Sequence, residues 1–446
     1  MDRPLSIAVV GGGIAGLGAA HQLARHHRVT LFEAADYVGG HTHTVDVTLG
    51  GITHPVDTGF LVFNERTYPH LIALFESLRV PVAGSDMSFS VSVGPHDFEW
   101  CGSDLGGVFA QPSNALRPTF WWMLADILRF NRDATRLARD AGRSADASVP
   151  LGDWLDANRY GRPFRDGYLL PMAAAIWSCP VATMLAFPVG SFVRFCDNHG
   201  LLQVAKRPRW FTVQGGARQY VERILAGLPD VRIGTPVRAV LREPLDAVRG
   251  EGRGVAVVTD HGRERFDHVV LACHSDQALA MLADPSDAER AVLGAVPYQP
   301  NRAYLHTDVA LMPRRPRAWA AWNYLSTGQA QGAARGDGPS VAVTYWLNRL
   351  QPLPFERPVL VTLNPPAPPD PALTLGVYDY AHPVFDTAAV LAQRRLPELQ
   401  GARNTWFAGA WTGWGFHEDG LKSGLAVAAA LLARPVPEAP HERLAA

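Results

Sequence analysis

Residues 6–34 read SIAVVGGGIAGLGAAHQLARHHRVTLFEA, and their order of strand, glycine turn, helix and second strand decides the fold. Ile7, Ala8, Val9 and Val10 make a short apolar run, as a strand buried on both faces requires. Gly11, Gly13 and Gly16, with Ile14 and Ala15 inside the motif, give the spacing G-x-G-x-x-G. The first glycine permits the tight turn, the second lets a pyrophosphate approach the backbone, and the third lets helix and strand pack closely. The helix then carries Ile14, Leu17, Ala20 and Leu23 on one side, and its N-terminal N–H groups face the phosphates. The second strand ends in Glu33, seventeen residues past Gly16, where an acid hydrogen-bonds a ribose hydroxyl. The unit therefore predicts dinucleotide binding on a parallel α/β sheet. Nicotinamide and flavin dinucleotides both use such a unit, so the choice between them stays open at this point.

The bulk properties narrow the field. A chain of 446 residues exceeds what one core comfortably supports, so two or more domains are expected. Hydrophobic residues make up 47% and charged residues 19%, an ordinary globular balance. The net charge of −1 gives nucleic acid no basic surface to bind. The four cysteines, Cys101, Cys179, Cys196 and Cys273, form no CxxC pair and have no metal-ligand spacing with histidine. They read as free thiols of a reducing cytoplasm, with no metal expected. The N-terminal strand reaches its glycine turn by residue 11, which leaves no room for a secretory leader, and no apolar run is long enough to span a bilayer. The stretch FWWMLADILRF at residues 120–130 could still touch a membrane surface, although a core helix is its commoner fate. The expected location is the cytoplasm or the inner face of the membrane.

After Glu33 the chain does not continue into another βα repeat. Instead YVGGHTHT places the pair Gly39–Gly40 before His41, and VDVTLGGITHPVDTGFLVF reads as a hairpin followed by a loop carrying Thr58, Gly59 and Phe60. Residues 76–204 change character, with amphipathic helical stretches, tryptophan and many prolines. RWFTVQGGARQYVERILAGL returns to the first style, and HVVLAC reads as a buried strand. Residues 291–400 hold β-branched and aromatic runs between Pro/Gly turns, as in an antiparallel sheet. The segment FAGAWTGWGFHEDGLKSG at residues 407–424 then joins a short strand to a helix that begins with Glu418 and Asp419, acids that suit a helix dipole. Gly420 and Gly424 are poor helix formers four residues apart, as where something must approach the helix closely.

The glycine pair, the VDTGF loop and the C-terminal segment together resemble the flavin-containing amine oxidase and phytoene desaturase superfamily. The whole chain is similar to a bacterial subgroup described as NAD/FAD-binding oxidoreductases. The resemblance implies non-covalent FAD on a Rossmann-type domain built from residues 1–75, 205–290 and 401–434. It implies an α+β substrate domain with an antiparallel sheet and a helical insert at residues 76–204 and 291–400, and a tail at 435–446. HVVLAC would close the FAD-binding sheet, and Val237 would sit where the chain passes the adenine. Gly409 matches the glycine beside the ribityl chain, and Glu418, Asp419 and Gly420 would lie at the ribityl and flavin edge. Phe416 falls at the second aromatic of the amine oxidase substrate cage, and Trp411 and Trp414 would wall the same cavity. His41 departs from the arginine common in that place, so a phosphate- or flavin-contacting cation is replaced by a titratable group.

Amine oxidases often carry a lysine near the flavin, on the strand that here reads NRAYLHTD. Asn301 and Arg302 stand near that place, and neither of the two lysines, Lys206 and Lys422, does. His306, Asp308 and Arg302 become the polar site candidates. The apolar, tryptophan-rich insert favours a long hydrophobic substrate. The expected activity is dehydrogenation or isomerisation of a lipid or fatty-acyl chain, with hydride passing from a substrate C–H to flavin N5. A peroxide-releasing amine oxidase and a non-catalytic FAD- and lipid-binding accessory protein remain as alternatives. The expected partner is a hydrophobic small molecule, with membrane contact at the periphery.

Overall fold

A computed structural model describes residues 3–94, 97–140, 149–177, 181–203, 207–242, 254–326 and 342–433. The opening stretch folds into a five-stranded parallel sheet in the order β10 (Asp230–Arg232), β2 (Arg28–Phe32), β1 (Ser6–Val10), β14 (His268–Leu271), β20 (Thr405–Phe407). β1 lies in the middle, with Val9 opposite both Leu31 and Val270. Side chains alternate between two cores. Ile7, Val9, Leu31 and Val270 pack under α1 (Ile14–Leu23), α2 (Pro69–Leu78), α10 (Arg218–Leu225) and α15 (His417–Leu432). Ala8, Val10, Phe32, Val269 and Leu271 pack against the sheet β11 (Val237–Arg242), β12 (Val255–Thr259), β13 (Gly262–Phe266) and helices α11 (Ser275–Met281), α12 (Asp287–Leu293) and α14 (Thr387–Arg395). A strand buried on both faces must be apolar throughout, as this one is. The strand expected to close the sheet, His268–Leu271, is internal; the edges are β10 and β20.

A second layer is a seven-stranded sheet, β19 (Thr374–Pro383), β15 (Tyr298–His306), β18 (Leu360–Leu363), β17 (Ala342–Trp346), β16 (Trp322–Ser326), β7 (Phe89–Val93), β8 (Phe98–Cys101). It is antiparallel except where β16 meets β7 in parallel. β7 and β8 come from the segment expected to be helical, where FSVSV alternates with period two instead. One face of this sheet packs on the helical insert: α3 (Leu105–Val108), α4 (Pro118–Asp140), α5 (Leu151–Ala157), α6 (Arg162–Phe164), α7 (Leu170–Trp177), α8 (Val181–Leu185) and α9 (Val189–Asn198). Between the layers lie the hairpin β3 (Thr44–Leu49)–β4 (Ile52–Asp57), the strands β5 (Phe63–Asn64), β6 (Val82–Ser85) and β9 (Trp210–Val213), and the short α13 (Leu347–Leu350). Among the described residues no helix is long and apolar enough to cross a membrane.

Candidate active site

The glycine turn forms a cradle. Gly11 has φ +108°, and a Cβ there would meet the Ala272 carbonyl oxygen at 2.5 Å. A Cβ on Gly13, by contrast, would enter open space. α1 starts beside that opening with no side-chain cap and no acid in its first turn, which leaves its dipole for an anion. Gly39 pairs with Gly13 across the opening, so Ile14 and Ala15 on one side and Gly39–Gly40 on the other bound it. Glu33 accepts from Gly12 N at 2.7 Å and from Ala35 N at 2.8 Å, one bond per oxygen. Each carboxylate oxygen keeps a lone pair, which two ribose hydroxyls can use. The chain leading into Val237 runs alongside, with Gly234 N bonded to Ala35 O and Thr235 N to Glu33 O.

His41 follows the glycine pair. Its ring stacks on Tyr380 and tilts against His382, both at 5.1 Å between centroids. Its Nε2 is sealed from solvent and has no hydrogen-bond partner among the described residues. Burial, reinforced by His382, His274 and His417, holds its pKa well below the ordinary histidine value. Among the described residues these groups are not arranged to hold a metal ion. The carbonyl of His41 receives Phe60 N at 2.7 Å, and a Cβ on Gly59 would strike that same carbonyl. Phe60 in turn stacks on His417 at 3.9 Å. The uncapped helix start, the open side of Gly13, the two spare acceptors of Glu33 and the orphaned donor or acceptor of His41 together fit a dinucleotide.

The C-terminal segment closes over this cradle. His417 Nε2 meets Tyr220 Oη at 2.8 Å, and Tyr220 Oη meets Thr42 Oγ1 at 2.5 Å. Asp419 accepts from Trp414 N and Phe416 N, both at 3.0 Å, and so caps the start of its own helix. Burial raises its pKa to about 6. Gly409 N is held by Ser423 Oγ at 2.9 Å. Beyond it Phe416 stacks on Phe195 at 5.2 Å and lies 5.6 Å from His199, while Trp414 reaches Phe195 and Phe187. Phe195 is in turn 4.5 Å from Trp177. This wall is continuous with the apolar core of the helical insert. The facing wall is the inner side of β15 and β19. There Tyr380 Oη meets Thr58 Oγ1 at 2.8 Å and His43 Nδ1 at 3.3 Å, and Asn301 Nδ2 donates to His382 Nδ1 at 2.8 Å.

The model of the family described as flavin-containing amine oxidoreductases matches residues 14–327 of this chain. The chain belongs to that family. Its cofactor is FAD, and the cradle described above fits it. A Mycobacterium tuberculosis protein named as a flavin-containing monoamine oxidase is 28% identical over 63% of this chain. That alignment spans 59% of the relative's own length. Among solved structures, cyclohexylamine oxidase from Brevibacterium oxydans superposes with a TM-score of 0.67 at 15% identity, covering 96% of this chain and 99% of that one. A fatty acid isomerase from P. acnes that produces CLA superposes with a TM-score of 0.65 at 14% identity, again covering 96% and 99%. Both likenesses concern the fold.

Several expected site residues of this family member stand elsewhere. Arg302 points to solvent and pairs with Asp379, because strand alternation turns Asn301 and Ala303 inward and Arg302 outward. His306 is fully buried on the sheet face opposite Leu305, where its Nε2 meets Thr362 Oγ1 at 2.7 Å and its Nδ1 accepts from Asp308 N. It belongs to a polar ladder through Thr344, Asn323 and Ser90. Trp411 is a core residue at 2% exposure, donating its indole N–H to Cys273 O. Glu418 is committed to α2: it accepts His70 N, His70 Nδ1 and Leu71 N, which ties that helix start to α15. Gly420 faces Ile14 of α1. Lys422 is exposed, and Lys206 and Cys179 lie outside the described residues. Tyr378, Tyr380 and His382 went unnoticed in the sequence, although YDYAHP carries the period-two signal that puts them on one face.

Asp57 joins the two layers. It is 1% exposed and accepts from Thr44 Oγ1, Ala217 N and Gln351 Nε2, while its own N–H donates to Gln351 Oε1. Burial pushes its pKa up to about 6 against those donors. Asp57→Ala should cost about 3–5 kcal/mol, since it strands three buried donors. Asp57→Asn should cost less, because one amide oxygen still accepts. Urea unfolding of the two variants checks this order; equal losses would show that the donors find other partners.

Proposed function

We propose that this protein is an FAD-dependent oxidoreductase that dehydrogenates or isomerises a C–C bond in a long, uncharged substrate of fatty-acyl type. The observation that carries the reading is the character of the two walls. One wall is aromatic, made by the partly buried Phe416 and Trp414 and backed by the buried Phe195 and Trp177. The polar groups that reach the site are neutral. Burial lowers His199 and His382 to about 4, so both are uncharged at neutral pH. Tyr380 is pushed above the ordinary phenol range by burial and keeps its proton. Such a site binds a chain by area and excludes water, and the polar groups named here offer an ammonium group no carboxylate.

The residues divide the work. The turn from Gly11 to Gly16 and the start of α1 would hold the FAD diphosphate, and Glu33 the ribose. The start of α15 would face the ring end, where its dipole favours negative charge. Bound FAD supplies a two-electron acceptor for a substrate C–H. Phe416, Trp414 and Phe195 orient the chain. Tyr380 Oη, fixed by Thr58 and His43, holds a proton at one defined point. His382, whose Nδ1 accepts from Asn301, presents Nε2–H to the same wall. Asn301, which faces inward, and Arg302, which faces out, would stand near the place of an amine oxidase lysine.

A second reading, amine oxidation, is supported by the family description and by the Mycobacterium relative. Anaerobic titration of the purified flavoprotein separates the two. Bleaching of the flavin's visible absorbance by unsaturated acyl lipids, or double-bond movement seen by mass spectrometry, is the expected result. Bleaching by polyamines or aromatic amines, with peroxide on readmitting air and no response to lipids, would overturn it. An inert flavin under every donor would favour the accessory role.

A further inference from the structure

The surface over α3, the turn at Pro112–Leu116 and α4 is unlike the rest of the molecule. Leu116 is 87% exposed, Leu105 78%, Trp122 64%, Leu128 62% and Trp121 50%. Trp121 donates its indole N–H to Ala115 O at 2.9 Å, so its polar edge is satisfied within the protein, and its ring, tilted against Phe109 at 5.8 Å, stays half exposed. On α4, Trp121, Ala125, Leu128, Arg132, Arg136 and Arg139 recur three or four residues apart and share one stripe. The stripe is apolar in its first half and cationic in its second. Arg132, Arg136 and Arg139 border a groove of about 480 Å³ with Thr135 and Asp140.

The charges on and around the stripe favour an anion. Residues 117–139 hold five arginines against two aspartates. Asp126 is paired with Arg129 at 2.9 Å, and Asp133 with Arg132 at 3.1 Å while it also accepts from Tyr160 Oη. Asp104 caps α3. Among the described residues Arg136 and Arg139 have no ion-pair partner, and the one acid of the groove, Asp140, lies at its end. Arginine reads phosphate through its planar fork.

We infer that this surface docks on an anionic phospholipid bilayer, with the tryptophan end of α4 entering the acyl boundary and the arginine end gripping headgroup phosphates. Polarity that changes along the helix axis, rather than around it, fits a helix that enters at an angle. Trp121 and Arg136 are about 22 Å apart along that axis, so an inclined helix sets its apolar end deeper than its unpaired arginines. Leu116, two residues before α4, extends the same end. A flat apolar patch with a polar rim would suit a second protein copy better. The inference stands without the acyl-substrate reading.

The test is sedimentation of the full flavin-loaded chain with vesicles of phosphatidylglycerol and phosphatidylcholine, and with phosphatidylcholine alone. Leu116→Ser with Trp122→Ser should weaken binding to both at least tenfold. Arg136→Gln with Arg139→Gln should weaken binding at least tenfold on the anionic vesicles only. Flavin content should be unchanged in each, since all four side chains are on the surface. Failure of the parent protein to sediment with any vesicle would overturn the inference, as would apolar variants that bind like the parent. A parent dimer split by the apolar pair, with no effect on vesicles, would assign the patch to a second copy and overturn it equally.

Discussion

Between pH 7 and pH 5 the folded protein is expected to lose several kcal/mol of stability and release its flavin. Burial holds nine histidines below the ordinary value of 6.5, and five of them far below: His199, His306 and His382 at about 4, His417 at about 3, and His41 well below. Their contribution is fully present above pH 6.5. It is lost as pH falls toward the folded values, because the unfolded chain takes protons that the folded chain refuses. Asp57 and Asp419 oppose this. Burial raises both to about 6, so the fold retains two protons that the unfolded chain gives up above pH 4. Near pH 5 the balance is about three protons, or about 4 kcal/mol per pH unit. Against a total stability of about 5–15 kcal/mol, that is decisive. Urea midpoints and flavin fluorescence at pH 5, 6 and 7 measure it. Stability that stays level or rises toward pH 5 would mean that these imidazoles are charged in the fold.

Gly424→Val should yield a chain that is insoluble or free of flavin. A Cβ at Gly424 would lie 2.0 Å from the Ala15 carbonyl oxygen and 2.9 Å from its carbon, both main-chain atoms of α1. Neither can give way without moving the helix. A Cβ at Gly18 would likewise meet Leu421 of α15 at 2.6 Å. The two helices cross with their backbones in contact, and α1 is the helix whose start faces the diphosphate. Prising them apart should cost at least about 3 kcal/mol and spoil the cradle as well. Lys422→Ala, on the exposed side of α15, should leave both flavin content and melting temperature as they are. Full flavin content and parental melting in Gly424→Val would show that α15 packs otherwise.

The cradle was legible because its glycines, helix and acid are contiguous and each obeys a local rule. The close-approach glycines of α15 were legible as such, but their partner was not. The ring of a cofactor was expected beside Gly420, and the partner is Ile14, some four hundred residues earlier. Arg302 and His306 failed for a different reason. One residue of offset on a strand sends a side chain to the opposite face, and only the apolar neighbours Ala303 and Leu305 fix which face is which. The sequence around Trp411 suits a cavity wall and a core equally, because tryptophan fits either. The parallel pairing of β16 with β7 joins segments over two hundred residues apart, and no local pattern encodes such a pairing.

The place of β20 and α15 also imposes an order on manufacture. The chain leaves the ribosome from its first residue, at about 5–20 residues per second. α1 therefore waits on the order of 20–80 s for the helix that must lie against its glycines. Until then the face of α1 at Ile14, Ala15 and Gly18 has no cover, and β14, once made, offers an unpaired edge. A nascent chain of this protein is thus exposed to misassociation for most of its synthesis. It becomes safe only once residues 405–432 arrive. Slow codons or a chaperone acting late in translation would change its yield far more than the same intervention early.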